Sequence, residues 1–340
     1  MQQKKKKTRS IKAIDLFAGV GGSSWGARAA GINVVAAIDS WPLAKATYNS
    51  NFPEVHFFKG KCENVRLGRL KKEIGSANLI IASPECTSHT CAKGKARRSE
   101  KSRRTAFQVI RFARAFKPRW LVIENVVYMR RWKSYEEWLE KLKGLGYYVH
   151  EQVLNAADFG VPQARRRLFV MCDRLRPPRR VEPAAKRKKS AASVLSGNGH
   201  FRFSVLRSTN RARATLQRAN RAIAAVGNSK AFLIVYYGSD ASGGWQRLSS
   251  PLRTLTTLDR FAYVRPTSDG HVMRMLQVPE IKRAMGFPKK YSLEHGTRRE
   301  KIKLLGNAVC PPVMEAVIRA ITSPRSVAKR TDRSRMSVER

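Results

Sequence analysis

Short aliphatic runs recur along the first half of the chain and alternate with segments whose apolar positions repeat at helical spacing. Ile11–Phe17 reads as a strand that runs into Ala18-Gly19-Val20-Gly21-Gly22. Ser23 or Ser24 is placed to cap a helix extending to Ala30, with Gly31 as its stop. Asn33–Ile38 is a second strand ending in Asp39, and Pro42 suits the first turn of a helix towards Asn51. Val55–Lys59, Leu79–Ala82 and Trp120–Ile123 are further strands, the last leading into Glu124-Asn125. Thr105–Phe116 and Tyr135–Leu145 read as helices, and Tyr148–Leu154 and Leu168–Cys172 return to strand. The alternation predicts an α/β fold, with a mostly parallel sheet covered by helices on both faces.

The pattern changes after Cys172. Arg176-Pro177-Pro178-Arg179-Arg180 and the basic run through Lys189 read as a linker. The stretch from Ser193 to Tyr263 is irregular apart from a strand-like Phe232–Tyr237, and it predicts a second, smaller domain. Helical signals return at Pro279–Met285 and Pro312–Ile321. The expected layout is a large domain over residues 11–174, completed by about 300–323, with a small domain over 175–299. Basic tails cover residues 1–10 and 324–340. No apolar run approaches the roughly 18 residues of a membrane span, and the lysine-rich start has no apolar segment behind it.

Charge sharpens the picture. The chain of 340 residues carries 68 Lys+Arg against 24 Asp+Glu, a formal net charge of +44. Such an excess calls for a polyanionic partner, most often nucleic acid, because each neutralised phosphate releases counterions. Part of it lies in the tails, but Arg111, Arg114, Lys117 and Arg119 carry it into the periodic segments. Five cysteines are scattered without a C-x-x-C pair, which argues against a disulfide framework or a structural zinc site and fits a reducing compartment.

Candidate chemistry collects at strand ends. Pro84 cannot continue the Leu79–Ala82 strand, so Cys86 falls on a loop just past its carboxyl end, where ligands gather in open α/β sheets. The glycines of the first strand–helix turn allow close backbone approach by a ligand, and Asp39 suits ribose hydroxyls. Glu124 follows a neighbouring strand; a buried carboxyl there has a raised pKa and can give a proton to a ring nitrogen. Alternation puts Gln163, Arg165 and Arg167 on one face and turns Arg166 away. Singly, each has a plain alternative: a buried cysteine, a helix-capping glutamate, a solvated arginine run.

Together the residues resemble the DNA (cytosine-5) methyltransferase family. DLFAGVGG (Asp15–Gly22), SPEC (Ser83–Cys86), ENV (Glu124–Val126), QARRR (Gln163–Arg167), RTLTT (Arg253–Thr257) and GNAV (Gly306–Val309) stand in the family's order. The resemblance implies a Rossmann-like S-adenosyl-L-methionine sheet with a small target-recognition domain, acting on double-stranded DNA as a monomer with no membrane partner. A cognate restriction endonuclease is a companion it leaves open. Cys86 would add to cytosine C6, protonated Glu124 would hold N3, and Arg165, with Arg167 nearby, would contact O2. Asn125 belongs to the same set. Gln163 and the small domain would offset the few kcal/mol of unstacking that base flipping costs. The cofactor would lie against Phe17, Ala18, Gly19, Val20, Gly21, Gly22, Asp39, Ser40 and Pro84, with Asn307 and Ala308 closing the far side. No metal is implied.

Three departures stand out. Glu85 replaces a proline, Lys61 stands where an acidic residue would meet the adenine amino group, and Ser40 precedes Trp41 where a large apolar residue is usual. A transfer-RNA methyltransferase on the same fold and a non-catalytic DNA-binding relative are the other classes this pattern admits. A nicotinamide dehydrogenase explains the glycine turn but neither the charge nor the Cys86–Glu124–Arg165 set.

Overall fold

Every residue of Leu79–Ala82 and of Trp120–Asn125 is buried, which places these two segments at the centre of the main sheet. The computed structural model describes residues 10–85, 100, 104–185, 187–197, 199, 201–237 and 243–323. In chain order the first part comprises β1 (Lys12–Leu16), α1 (Gly22–Ala29), β2 (Asn33–Asp39), α2 (Pro42–Asn51) and β3 (His56–Lys59). Then come α3 (Leu67–Ile74), β4 (Leu79–Ala82), α4 (Phe107–Phe116), β5 (Trp120–Asn125), α5 (Tyr135–Lys143) and β6 (Tyr148–Asn155). The two-residue β7 (Gln163–Ala164) and β8 (Arg166–Asp173) complete it.

Seven of these strands form one sheet in the order β3-β2-β1-β4-β5-β8-β6. Its pairs are parallel from β3 to β5, and β8 alone runs against its neighbours. The expected mostly parallel sheet is therefore present. Alternate strand residues feed two apolar layers: Ala13, Ala37, Ile81 and Val122 pack towards α1 and α2, while Ile14, Ile38, Ile80 and Ile123 pack towards α3, α4 and α5.

The stretch expected to be irregular is ordered. It contains β9 (Ser204–Val205), α6 (Arg213–Val226), β10 (Phe232–Val235), β11 (Trp245–Arg247), β12 (Leu252–Arg253) and β13 (Phe261–Thr267). β14 (Gly270–Met275) and α7 (Val278–Ala284) follow, then α8 (Arg298–Asn307) and α9 (Pro311–Thr322). Thr215, Ala219 and Ala222 are the buried residues of α6, and Leu216, Ile223 and Val226 pack partly buried beside them. An antiparallel sheet, β11-β10-β13-β14-β9, lies beneath it. Phe232 and Ile234 of β10 face α6, whereas Leu233 and Val235 join the core that also contains α1 and α2.

The second sheet is tied into the first part rather than appended to it. β12 pairs with β7, Leu252 opposite Gln163 and Arg253 opposite Ala164. Beyond α7, Tyr291 meets Trp25 of α1 edge-on at 5.3 Å, so residues within the expected 175–299 unit pack on the first sheet's helix layer. Buried Arg274 and Glu280 form a doubly hydrogen-bonded pair at 2.7 Å for each bond, joining β14 to α7. Burial opposes ionisation of Glu280, but the Arg274 hydrogen bonds hold its carboxyl below the usual range.

Residues far apart in sequence close the layer around the first turn. A Cβ on Gly26 would lie 2.6 Å from the Pro311 carbonyl oxygen and 2.9 Å from the Glu315 nitrogen, both backbone atoms of α9. Gly26→Ala should push these helices apart and lower stability by about 1–3 kcal/mol. A lower urea midpoint with an unchanged m-value would be the signature.

Candidate active site

The first turn is shaped by its backbone. Phe17 and Gly19 have φ of 59° and 51°, and Gly21, at 80°, is the residue that precedes α1. The expected Ser23 or Ser24 cap is replaced: a left-handed Gly21 opens the helix, and Ser24 turns inward instead. Its hydroxyl donates to Asp15 Oδ2 at 2.6 Å and lies 2.6 Å from the Tyr48 hydroxyl. The Tyr291 hydroxyl donates to the Val20 carbonyl. Asp39 accepts from Gly19 N–H at 2.9 Å and from Trp41 N–H at 2.8 Å, locking the ends of β1 and β2 together. Ser40 is exposed between them, and Lys303 lies 4.8 Å from the Trp41 ring centroid.

On the far side, Val309 meets the turn so closely that a Cβ on Gly22 would lie 2.2 Å from its carbonyl oxygen. Ala308 is buried beside it, and Asn307 ends α8 with its side chain exposed. Two features fit a cationic nucleoside-type cofactor here. Asp15 Oδ1 is buried without a hydrogen-bond partner, and the space a Cβ on Gly19 would enter is open. Asp15 and Asp39 both have raised pKa values, chiefly from burial, and Asp15 reaches about 7.

The second half of the site is built on β5. Glu124 is buried near its carboxyl end, and desolvation raises its pKa against the opposing pull of Arg167 and Arg165. Arg167 Nε lies 3.2 Å from Glu124 Oε1. Asn125 donates to the Pro84 carbonyl at 3.1 Å and accepts from Val126 N–H, so it ties the end of β5 to the loop leaving β4. Cys86, two residues on, lies outside the described residues. Glu85 is exposed. Cys310 sits close enough to feel Glu124, Arg165 and Arg167, but burial pushes its thiol up to about 11, which keeps it an inert neutral thiol.

The QARRR alternation holds, with Gln163 and Arg165 buried and Arg166 exposed, and both buried side chains bond to backbone far along the chain. Arg165 donates to the carbonyls of Leu255 (3.0 Å), Gly306 (2.9 Å) and Ala308 (3.2 Å). It staples RTLTT to GNAV, and Arg167 is the arginine paired with Glu124. Gln163 is fully buried; its amide accepts from Leu255 N–H and donates to the Ala284 carbonyl and to Met285 Sδ. Sequence reasoning also missed Tyr291, which no local motif marks because its partner Val20 lies 271 positions away.

With this geometry in view, comparisons with known proteins agree. A family model for C-5 cytosine-specific DNA methylase matches residues 11–323, and the chain belongs to that family. Among curated relatives, the Type II methyltransferase M.DdeI of Desulfomicrobium norvegicum is 34% identical over 167 residues, 47% of this chain and 40% of that protein. M.HgiDI of Herpetosiphon aurantiacus is 35% identical over 162 residues, 47% of this chain and 52% of that one. The chain thus spans about half the length of the curated relatives it matches. Among solved structures, a Spodoptera frugiperda DNMT2 mutant superposes with a TM-score of 0.68 at 17% identity, covering 92% of this chain and 100% of that one. A DNA modification methyltransferase encoded within an E. coli prophage gives 0.66 at 18% identity, covering 92% and 98%. These two show the shared fold.

Asp15 makes stability depend on pH. An unfolded aspartate ionises near pH 4, whereas the folded one ionises at about 7, so between these values the folded state holds the extra proton. Stability should fall as pH rises through this window, by up to about 4 kcal/mol, and level off above it. Urea unfolding at pH 5 and pH 8 should show the decline in the wild type and a flatter profile in Asp15→Asn.

Proposed function

We propose that the protein is an S-adenosylmethionine-dependent DNA (cytosine-5-)-methyltransferase acting on a cytosine extruded from duplex DNA. The observation that carries this reading is the pairing of buried Glu124 with half-buried Arg167 at the carboxyl rim of β5, beside the Asn125–Pro84 link that leads to Cys86. A carboxyl with a raised pKa is a proton donor for a ring nitrogen, and a guanidinium beside it suits the adjacent ring carbonyl.

The cofactor would rest on the Phe17–Gly22 backbone, with Asp39 fixing the turn, Ser40 and Pro84 at its edges, and Asn307 and Ala308 opposite. When bound, it supplies an electrophilic methyl group for C5. The chain's own residues do the rest. The Cys86 thiolate adds to C6, which pushes electrons towards C5. Glu124 donates its proton to N3 as that charge develops, and Arg167 stabilises O2. Loss of the C5 proton to water then lets the ring re-form its C5–C6 double bond and expel the Cys86 thiolate, and N3 returns its proton to Glu124. Arg165 and Gln163 keep the pocket's walls in place without touching the base. Target recognition belongs to the second sheet, residues 204–275. The proposed setting is a monomer in a prokaryotic or phage-infected cytoplasm, with a cognate restriction endonuclease as companion.

Bisulfite sequencing of a plasmid treated with the protein and S-adenosylmethionine should reveal methylated cytosines in one sequence context. Unmodified DNA together with methylated transfer RNA would replace this reading with the RNA one. Cys86→Ala should lose methyl transfer while retaining duplex binding. Glu124→Gln should lower kcat by about 10²–10⁴ with little change in cofactor affinity. Turnover of Glu124→Gln at the wild-type rate would remove the proton-donor role.

A further inference from the structure

The chain just after Glu124 carries an exposed patch that the cytosine chemistry leaves unused. Residues Val127–Arg131 form a 3-10 turn directly beyond β5. Met129 points into the core, while Tyr128, Arg130 and Arg131 face solvent. Tyr128 is 40% exposed, and the Arg131 guanidinium lies 4.8 Å from its ring centroid. Arg130 is paired with Glu151 at 3.1 Å, but Arg131 has no carboxylate partner among the described residues. Exposed Arg166 adds a cation on the same rim. β8 runs antiparallel to β5, with Leu168 opposite Asn125, so Arg166 lies two residues beyond that last pair, alongside the start of the turn.

Arg131 thus stacks on an exposed tyrosine instead of pairing with a carboxylate. The stack holds the guanidinium upright at a fixed place, lowering the entropy it would lose on meeting an anion. Its location limits the choice of anion. Four residues of chain span at most about 14 Å, so Tyr128 lies within that reach of Glu124. Phosphates recur about every 3.4 Å along a DNA strand, so a strand whose base enters the Glu124 pocket must bring flanking phosphates past this turn.

We infer that the Tyr128–Arg131 stack, with Arg166, is a second docking point for the DNA strand that carries the target base: Arg131 and Arg166 hold phosphates beside the extruded nucleotide, and the Tyr128 ring supports the Arg131 guanidinium. The inference rests on the proposed DNA substrate. It assigns these residues to backbone positioning, which is blind to sequence.

The test is duplex affinity across a salt series, with wild type, Arg131→Gln, Arg166→Gln, Tyr128→Ala and Arg131→Lys compared at equal thermal midpoint. Each Gln variant should weaken binding to every duplex by a similar factor and reduce the slope of log K against log salt by about 0.9. Arg131→Lys should keep the wild-type slope. Tyr128→Ala should weaken binding with the slope retained. Binding of S-adenosylhomocysteine should be unchanged throughout. A wild type that binds steeply while Arg131→Gln matches it in slope and affinity overturns this inference alone. A wild type with no salt-dependent duplex binding overturns the proposed function as well.

Discussion

The site depends on one buried cation. Arg165 sits in a short strip between two strands, with little access to water, and donates to carbonyls from two segments that are 90 or more positions away in sequence. A guanidinium so placed draws backbone acceptors to its terminal nitrogens, because leaving a charge buried and unpaired costs several kcal/mol. Its geometry therefore dictates where the Leu255 and Gly306–Ala308 backbones can lie. Those backbones in turn form one side of the glycine turn, since Val309 rests on Gly22. Fixing Arg165 fixes the distance between the half of the site that would hold a cofactor and the half that contains Glu124.

Gln163 extends the same logic to the second sheet. Its amide reaches Leu255 on one side and the end of α7 on the other, while α7 is held to β14 by Glu280 and Arg274. Alternating residues of one short strip thus divide the labour: Gln163 and Arg165 face inward and brace, Arg167 meets the carboxyl, and Arg166 faces solvent. Side-chain alternation along a strand is enough to separate structural from chemical roles within five consecutive residues.

Much of this was legible from sequence because the signals were local. Leu79–Ala82 and Pro42–Asn51 have the bounds that their aliphatic run and their proline imply, and Glu124 lies buried where the end of a central strand would put it. What was not legible depended on partners far along the chain. Nothing in five residues says that the Ala284, Leu255 and Gly306 carbonyls will accept from Gln163 and Arg165. Helix α6 was missed although Leu216, Ala219, Ile223 and Val226 recur at helical spacing, because arginines interrupt them, and α3 because Leu70 is its one fully buried residue. The cap of α1 was misplaced because the serines suit a cap in isolation, whereas the buried Asp15 carboxylate draws Ser24 inward.

The seat of α9 against α1 also bears on how the molecule is assembled. Arg319 bonds to the Ala29 carbonyl across 290 positions of sequence, and the Gly26 face of α1 has no cover until α9 arrives. In synthesis the glycine turn precedes its covering helix by nearly 290 positions, so an apolar helix face waits in the open over that interval. Loop closure on that scale is slow, and exposed apolar surface in the interval invites chaperone capture or self-association. Yield during synthesis then depends on how soon α9 reaches α1.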